Sequence, residues 1–160
     1  MIKRFIFLLV SVAMTLSFAS CSDGDTVFSY CEMRIGLPEE FREIDGENFD
    51  VTYYNGEYLT AILRLSFVAA MREGISETLT PYEFSEFWLE KCNRSANIIS
   101  DGITYCEYYD DSSGQEHFYL EAFYRSPYAY FVILFSVNSK AEERGRVDFL
   151  NYANSVYFTN

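Results

Sequence analysis

Residues 128–137 read Tyr-Ala-Tyr-Phe-Val-Ile-Leu-Phe-Ser-Val, and this segment constrains the architecture more than any other. Ser136 is the one polar residue in this otherwise apolar run. A helix that crosses a membrane needs about 20 such residues, so the run is too short to span one. A strand with one face in water alternates apolar and polar residues, whereas a strand covered on both faces is continuously apolar. The run therefore predicts the central strand of a sheet that is covered on both sides.

Two strands are predicted immediately before this run. The first spans Ile103–Tyr109 and leads through a polar loop, residues 110–115, into the second, His117–Arg125. Ser126-Pro127 then turns the chain into the central run. Aromatic and β-branched residues, which favour strands, dominate all three segments. Together they predict an antiparallel meander.

A further hairpin is marked by Asn55-Gly56 between two β-rich segments. Both positions of a two-residue hairpin loop favour residues that accept positive φ, and Asn-Gly is a strong signal for such a loop. A two-residue loop would pair Tyr54 with Glu57 and Tyr53 with Tyr58. The second arm, which ends at Leu65, carries apolar side chains on both faces. It too is expected to be covered on both sides.

A helix that could cover one face begins at Thr80-Pro81. Thr80 is the predicted N-cap, Pro81 takes the first helical position, and Glu83 completes a capping box. Apolar residues then recur at helical spacing, at Phe84, Phe87, Trp88, Cys92 and Ala96.

A second helix is predicted near the C-terminus. Ser139 and Glu142 have the spacing of another capping box, and the pattern continues to about Asn154 with Val147 and Leu150 facing inward.

The remaining segments complete a single domain, residues 27–160. Val27–Ile35 reads as a first strand and Ser155–Phe158 as a closing edge strand. Residues 66–74 fit either a strand extension or a short helix. Phe41 and Ile44 are expected to point inward from the acidic connection after Pro38. The predicted class is α+β, an antiparallel sheet of about six strands flanked by helices on both faces.

The order of elements, Leu37-Pro38, the Asn55-Gly56 hairpin and Ser155-Val156-Tyr157-Phe158 together resemble the PsbP-like fold family. That family includes bacterial lipoproteins of the DcrB and LpqN types. The resemblance implies an antiparallel α/β/α sandwich. It implies little about function, because such folds serve unrelated tasks, and no binding residue is carried over.

The first 20 residues resemble a signal peptide. Lys3-Arg4 is a short basic start, residues 5–18 are mostly apolar, and Phe18-Ala19-Ser20-Cys21 is similar to a bacterial lipobox of the Bacteroides type. The likeness implies a lipidated Cys21, a tether over residues 21–26 and a bacterial cell envelope location, with the lipid anchor in the outer membrane. Ser22-Asp23-Gly24-Asp25 resembles the acidic export signal of that group, which would place the protein at the cell surface. The alternative is ordinary cleavage that leaves a secreted protein with a free Cys21.

The charge of the chain argues against nucleic acid as a partner. It has 12 basic and 24 acidic residues, for a net charge of −12. Loss of residues 1–20 would remove two basic residues and make the balance more negative. A phosphate backbone would be repelled. An exported protein can keep disulfides, but Cys31, Cys92 and Cys106 allow at most one internal bridge, which the sequence does not identify.

Few residues suit catalysis or metal binding. His117 follows Glu116, but neighbours on a strand point to opposite faces. Cys106 has no nearby base in the sequence. No metal site and no cofactor are expected, although acidic loops at residues 45–50 and 110–116 leave weak calcium binding open.

Tyrosine is the unusual feature, with 14 in the chain. Its ring suits contact surfaces and can stack on sugars, and Tyr53, Tyr58 and Tyr108 are predicted to form an exposed recognition surface. The expected function is a non-enzymatic binding or accessory module with a protein or glycan partner. The alternatives are an envelope or glycan hydrolase that uses loop carboxylates, and a structural subunit of an envelope complex.

We expect Cys21→Ala to abolish labelling by a fatty-acid analogue and to release the protein from membranes. Each buried CH₂ of an acyl chain contributes about 0.8 kcal/mol to membrane binding, so loss of the chains removes the anchor. Metabolic labelling and fractionation measure this, with Cys31→Ala as the control. Wild-type protein without label would contradict the lipoprotein prediction.

Overall fold

The computed structural model describes residues 25–112 and 114–160. The predicted signal peptide and Cys21 lie outside the described residues. Within them, no helix combines the length and the apolar character needed to cross a bilayer. The elements along the described chain are β1 Asp25–Tyr30, β2 Met33–Pro38, β3 Arg42–Ile44, β4 Val51–Tyr54, β5 Leu59–Ser66, α1 Phe67–Arg72, α2 Pro81–Lys91, β6 Ile98–Asp101, β7 Ile103–Asp110, β8 His117–Arg125, β9 Ala129–Asn138, α3 Glu142–Asn154 and β10 Tyr157–Phe158.

The strands form two antiparallel sheets. Seven strands pair in the order β3-β4-β5-β9-β8-β7-β6, and three pair in the order β1-β2-β10. β9 contains most of the apolar run of residues 128–137 and lies in the middle of the larger sheet. There Ile133 pairs with Ile62 of β5 and with Ala122 of β8. All its residues but Asn138 are buried. The α+β class and the central position of this strand are confirmed. The prediction of a single sheet of about six strands is corrected, because the described strands form one sheet of seven and a second sheet of three.

Alternate residues of the larger sheet pack into different hydrophobic clusters. Tyr130 and Val132 of β9 pack in one cluster with Phe84 and Leu89 of α2. Residues of the opposite parity, such as Ile133, pack in another. That second cluster contains Phe149 and Ala153 of α3 and Met33, Ile35 and Leu37 of β2. Among the described residues, α2 thus packs into one cluster of the sheet, and α3 packs into the other together with the three-stranded sheet.

The β4–β5 hairpin forms, but its predicted register is wrong by two residues. Tyr54 pairs with Leu59 and Tyr53 with Thr60. The Asn55 side-chain oxygen accepts the N–H groups of Glu57 and Tyr58, while the Asn55 N–H bonds to the Tyr58 carbonyl. Four residues thus form the loop. A two-residue slip leaves every side chain on its predicted face, so the two-sided cover is unaffected.

The two predicted capping boxes have different outcomes. At α2, Thr80 accepts the Glu83 N–H and the Glu83 carboxylate accepts the Thr80 N–H, which confirms the first. The second is wrong. Ser139 lies in a 3₁₀ turn capped by the Asn138 side chain, and α3 starts at Glu142 without a side-chain cap.

Three other predictions are corrected. The predicted first strand is a hairpin, because the chain turns at Cys31, whose φ is +49°. Ile44 is 40% exposed and Val147 is 58% exposed, whereas both were expected to face inward. Phe41 is buried as predicted. The ambiguous segment after Leu65 is mainly helix α1, and the short edge strands β3 and β6 had no sequence prediction.

We expect Thr80→Ala to lower the free energy of unfolding by about 1 kcal/mol, because it removes a formed N-cap. Ser139→Ala is the matched control, since its predicted cap does not form, and it should change stability by less than about 0.5 kcal/mol. Urea denaturation followed by circular dichroism measures both. Equal losses in the two variants would contradict the assigned caps.

Candidate functional site

A groove of about 410 Å³ opens between the two sheets. It lies where β10, at one edge of the three-stranded sheet, faces the start of β7 and the end of β8. The volume is in the range of small-molecule binding sites. Its apolar lining consists mainly of Ile103, Phe123, Tyr124, Val156 and Phe158.

Two contacts hold this apolar lining in place. The Tyr124 hydroxyl donates to the Ala153 carbonyl at 2.8 Å, which joins β8 to the last turn of α3. Burial raises the pKa of Tyr124, so the hydroxyl stays protonated and remains a donor. The Phe158 ring packs 5.2 Å from the Phe131 ring between centroids. The groove therefore has a fixed apolar wall.

The rim of the groove is small and polar. Ser100, Gly102, Thr104 and Asn154 line it, together with Pro81 at the start of α2. Gly102 has φ +76°, and a Cβ built there meets no atom within 4 Å. Open space therefore lies in front of this residue.

Arg125 is the one charged side chain among the lining residues. Its Nε and one Nη donate to the Glu77 carbonyl at 3.2 and 3.0 Å, and its guanidinium lies 5.1 Å from the Phe67 ring centroid. Among the residues that the structure describes, no carboxylate lines the groove, although the chain has twice as many acidic as basic residues. The local charge is thus opposite to that of the whole chain.

A second cluster of ionisable groups is closed inside the protein. Glu121 of β8 is 4% exposed, accepts the Trp88 indole N–H at 3.0 Å and pairs with Arg94 at 2.6 Å. Burial raises the pKa of Glu121, and Arg94 opposes that rise. The Arg94 guanidinium lies 4.1 Å from the Tyr108 ring centroid. The pair ties the end of α2 to the sheet, and this is a structural role.

The three tyrosines predicted as a recognition surface do not form one. Tyr53 and Tyr58 are 4% and 5% exposed. The Tyr53 ring packs on Phe28, and the Tyr58 hydroxyl donates to Asp148. The Tyr108 hydroxyl is buried, with no hydrogen-bond partner among the described residues. An exposed patch at these positions is excluded because their rings serve the packing of the sheets.

The other predicted chemistries are placed as follows. Cys31 is exposed, Cys92 is half-buried and Cys106 is buried, and all three are free thiols. Burial raises the pKa of Cys106 to about 12, so its thiol is a poor nucleophile. The described residues hold no cluster of three or more metal-ligating side chains. In the acidic loops, Asp50 accepts the Arg64 N–H and Asp110 accepts the Ser112 N–H.

Sequence reasoning missed the groove because its walls come from separate parts of the chain. Residues 100–104, 123–125 and 153–158 meet only after both sheets have formed. No single segment carries a pattern typical of a binding site. The positive φ of Gly102 could have been suspected from Asp101-Gly102 between two β-rich segments.

No protein-family model matches the sequence, and no curated protein matches it. Solved structures do resemble the fold. Cyanobacterial PsbP (CyanoP) from Synechocystis sp. PCC 6803 has a TM-score of 0.54 at 12% identity and covers 88% of this chain and 98% of its own. A protein from Bacteroides thetaiotaomicron VPI-5482 has a TM-score of 0.53 at 12% identity and covers 81% of this chain.

These similarities define the class of protein as one with a PsbP-like fold. This chain spans 46% of the length of the Bacteroides protein. At such low identity, the likeness concerns the fold alone.

We expect Arg94→Met to destabilise the fold by about 3–5 kcal/mol at neutral pH, because it leaves the Glu121 carboxylate buried without its cation. Loss of that cation raises the pKa of Glu121 further. A carboxyl whose folded pKa is raised loses stability as the pH rises above its ordinary value of 4.5. The deficit should therefore shrink as the pH falls towards 4.5. Denaturation across pH measures this.

The control for that prediction is Arg94→Met combined with Glu121→Leu. It removes both charges and should recover most of the loss, apart from about 1–3 kcal/mol for the indole N–H of Trp88, which loses its acceptor. A deficit that stays constant with pH would show that packing, rather than the charge, is responsible.

Proposed function

We propose that this protein is a membrane-anchored cell-envelope lipoprotein that acts as a non-enzymatic binding module through the groove beside β10. The observation that carries the proposal is the groove itself, with its apolar wall, its small polar rim and the single charge of Arg125. Binding sites commonly combine apolar surface with convergent polar groups, and the lining of this groove has both, with the polar surface slightly larger.

The proposed anchor is supported by the sequence of the N-terminal segment, in which Phe18-Ala19-Ser20-Cys21 is similar to a lipobox. β1 starts at Asp25, four residues after Cys21. Whatever its conformation, a chain of four residues spans at most about 14 Å, so a lipidated Cys21 would hold Asp25 close to the membrane surface. The finer architecture that we propose is an α/β/α sandwich, supported by the packing of α2 and α3 against side chains of opposite parity in β8.

A hydrolase that uses two carboxylates is a weaker proposal. Glycoside hydrolysis needs paired carboxyl groups about 5–10 Å apart around the substrate. The groove lining contains none. A permanent structural subunit of an envelope complex would contact its partner through the same groove but would not dissociate from it. The lifetime of the captured complex therefore distinguishes a structural subunit from a reversible binding module.

A photo-crosslinking amino acid at Ser100, on the rim of the groove, tests the proposed function in intact cells. We expect a discrete adduct at Ser100 in intact cells, which is lost when the membranes are solubilised in detergent and diluted before irradiation. The same label at Ser112, exposed in the β7–β8 loop, is the matched control. Adducts of equal yield and size at both positions, or at neither, would contradict binding in the groove.

A further inference from the structure

The edge of β10 presents backbone groups to the groove. β10 pairs with β2 on one side only, with Phe158 opposite Met33. The Thr159 N–H donates to the Glu32 carbonyl at 2.8 Å, so it points towards β2. Successive backbone groups of a strand point to opposite edges. The N–H and C=O of Phe158 therefore point away from β2, to the side where the groove lies.

The opposite wall of the groove lies where the hydrogen-bonded pairing of β7 with β8 ends. β7 pairs with β8 as far as Thr104 opposite Phe123, and β8 continues through Tyr124 to Arg125 without a partner on that side. The groove thus lies between two unpaired strand edges, the outer edge of β10 and the end of β8 beyond Phe123. Strand edges of this kind are the part of a fold that accepts an additional strand.

The positive charge of Arg125 indicates what kind of ligand the groove would bind. Arg125 has no carboxylate within ion-pair distance among the described residues, and no acidic residue lines the groove. A basic ligand would meet Arg125 alone and be repelled, whereas an acidic group would find an unpaired cation. The half-buried side chains of Ile103 and Val156 in the groove lining favour apolar side chains at alternate positions of an extended chain.

We propose that the groove binds an extended peptide that adds as a strand to the edge of β10, with its apolar side chains on the groove wall and an acidic residue at Arg125. This inference rests on the proposed function and names the chemistry of its ligand. Main-chain hydrogen bonds to Phe158 supply affinity, and the wall and Arg125 supply selectivity.

The first test is steric. The probe is a fluorescent octapeptide that alternates Val and Thr and begins with Glu, titrated against the intact protein by fluorescence anisotropy. Gly102→Asn adds a side chain to the groove at a backbone conformation that Asn tolerates. We expect it to weaken binding at least about tenfold.

Gly114→Asn is the matched control. Gly114 has φ +83° and equally open surroundings, but lies in the β7–β8 loop away from the groove. Its affinity should stay within about twofold of wild type. Equal losses in both variants would assign the effect to backbone strain and overturn the groove as the peptide site.

The second test concerns the backbone. A peptide N-methylated at alternate residues on one edge loses the donors that pair with β10, while methylation on the other edge spares them. We expect one methylated form to lose binding and the other to retain it. If neither form loses binding while Gly102→Asn still does, the groove binds ligands as proposed but strand addition is wrong.

Charge reversal completes the design. Replacing the Glu of the peptide with Lys should weaken binding to the wild-type protein and restore it to Arg125→Glu. Loss of all peptide binding, together with a specific adduct at Ser100, would reject the peptide and leave the binding function standing. Loss of both would reject the two proposals together.

Discussion

The structure depends on burying the backbone of β9. An unpaired N–H or C=O inside a protein costs about 1–3 kcal/mol, so a strand of ten residues, nine of them buried, must have a paired neighbour along each edge. β5 and β8 supply these neighbours over nearly its whole length. Its apolar side chains then require cover on both faces. The long meander, α2, α3 and the three-stranded sheet all follow from this requirement.

Different elements pack into the two clusters of the larger sheet, and the groove lies where two of these elements end. α2 with its preceding loop covers one face, and the buried pair of Glu121 and Arg94 joins the end of that helix to β8. The other face is shared between α3 and the three-stranded sheet. The groove opens where β10 ends the smaller sheet, and most of its wall residues belong to elements that also pack in the core.

Local patterns predicted the parts of this structure that depend on neighbours in sequence. The apolar run around Ile133 identified the central strand, and Thr80 with Glu83 identified the start of α2, because each signal is contained in a few consecutive residues. The hairpin register failed because Asn55 accepts two backbone N–H groups and so lengthens the loop to four residues. Tyr53 and Tyr58 were misassigned because their burial depends on β1 and α3, which are remote in sequence. The groove could not be predicted for the same reason.

The wall of the groove at β10 is connected through β2 to β1, the first strand that the structure describes. The Gly36 N–H donates to the Ser155 hydroxyl at 2.9 Å, and a Cβ at Gly36 would lie 3.3 Å from that oxygen. This close approach fixes the segment that leads into β10 against β2, and β2 pairs along its full length with β1. The strand that begins the domain and the strand that borders the groove thus belong to one small sheet. A ligand held at β10 would therefore contact the same small sheet that contains β1, the first strand that the structure describes.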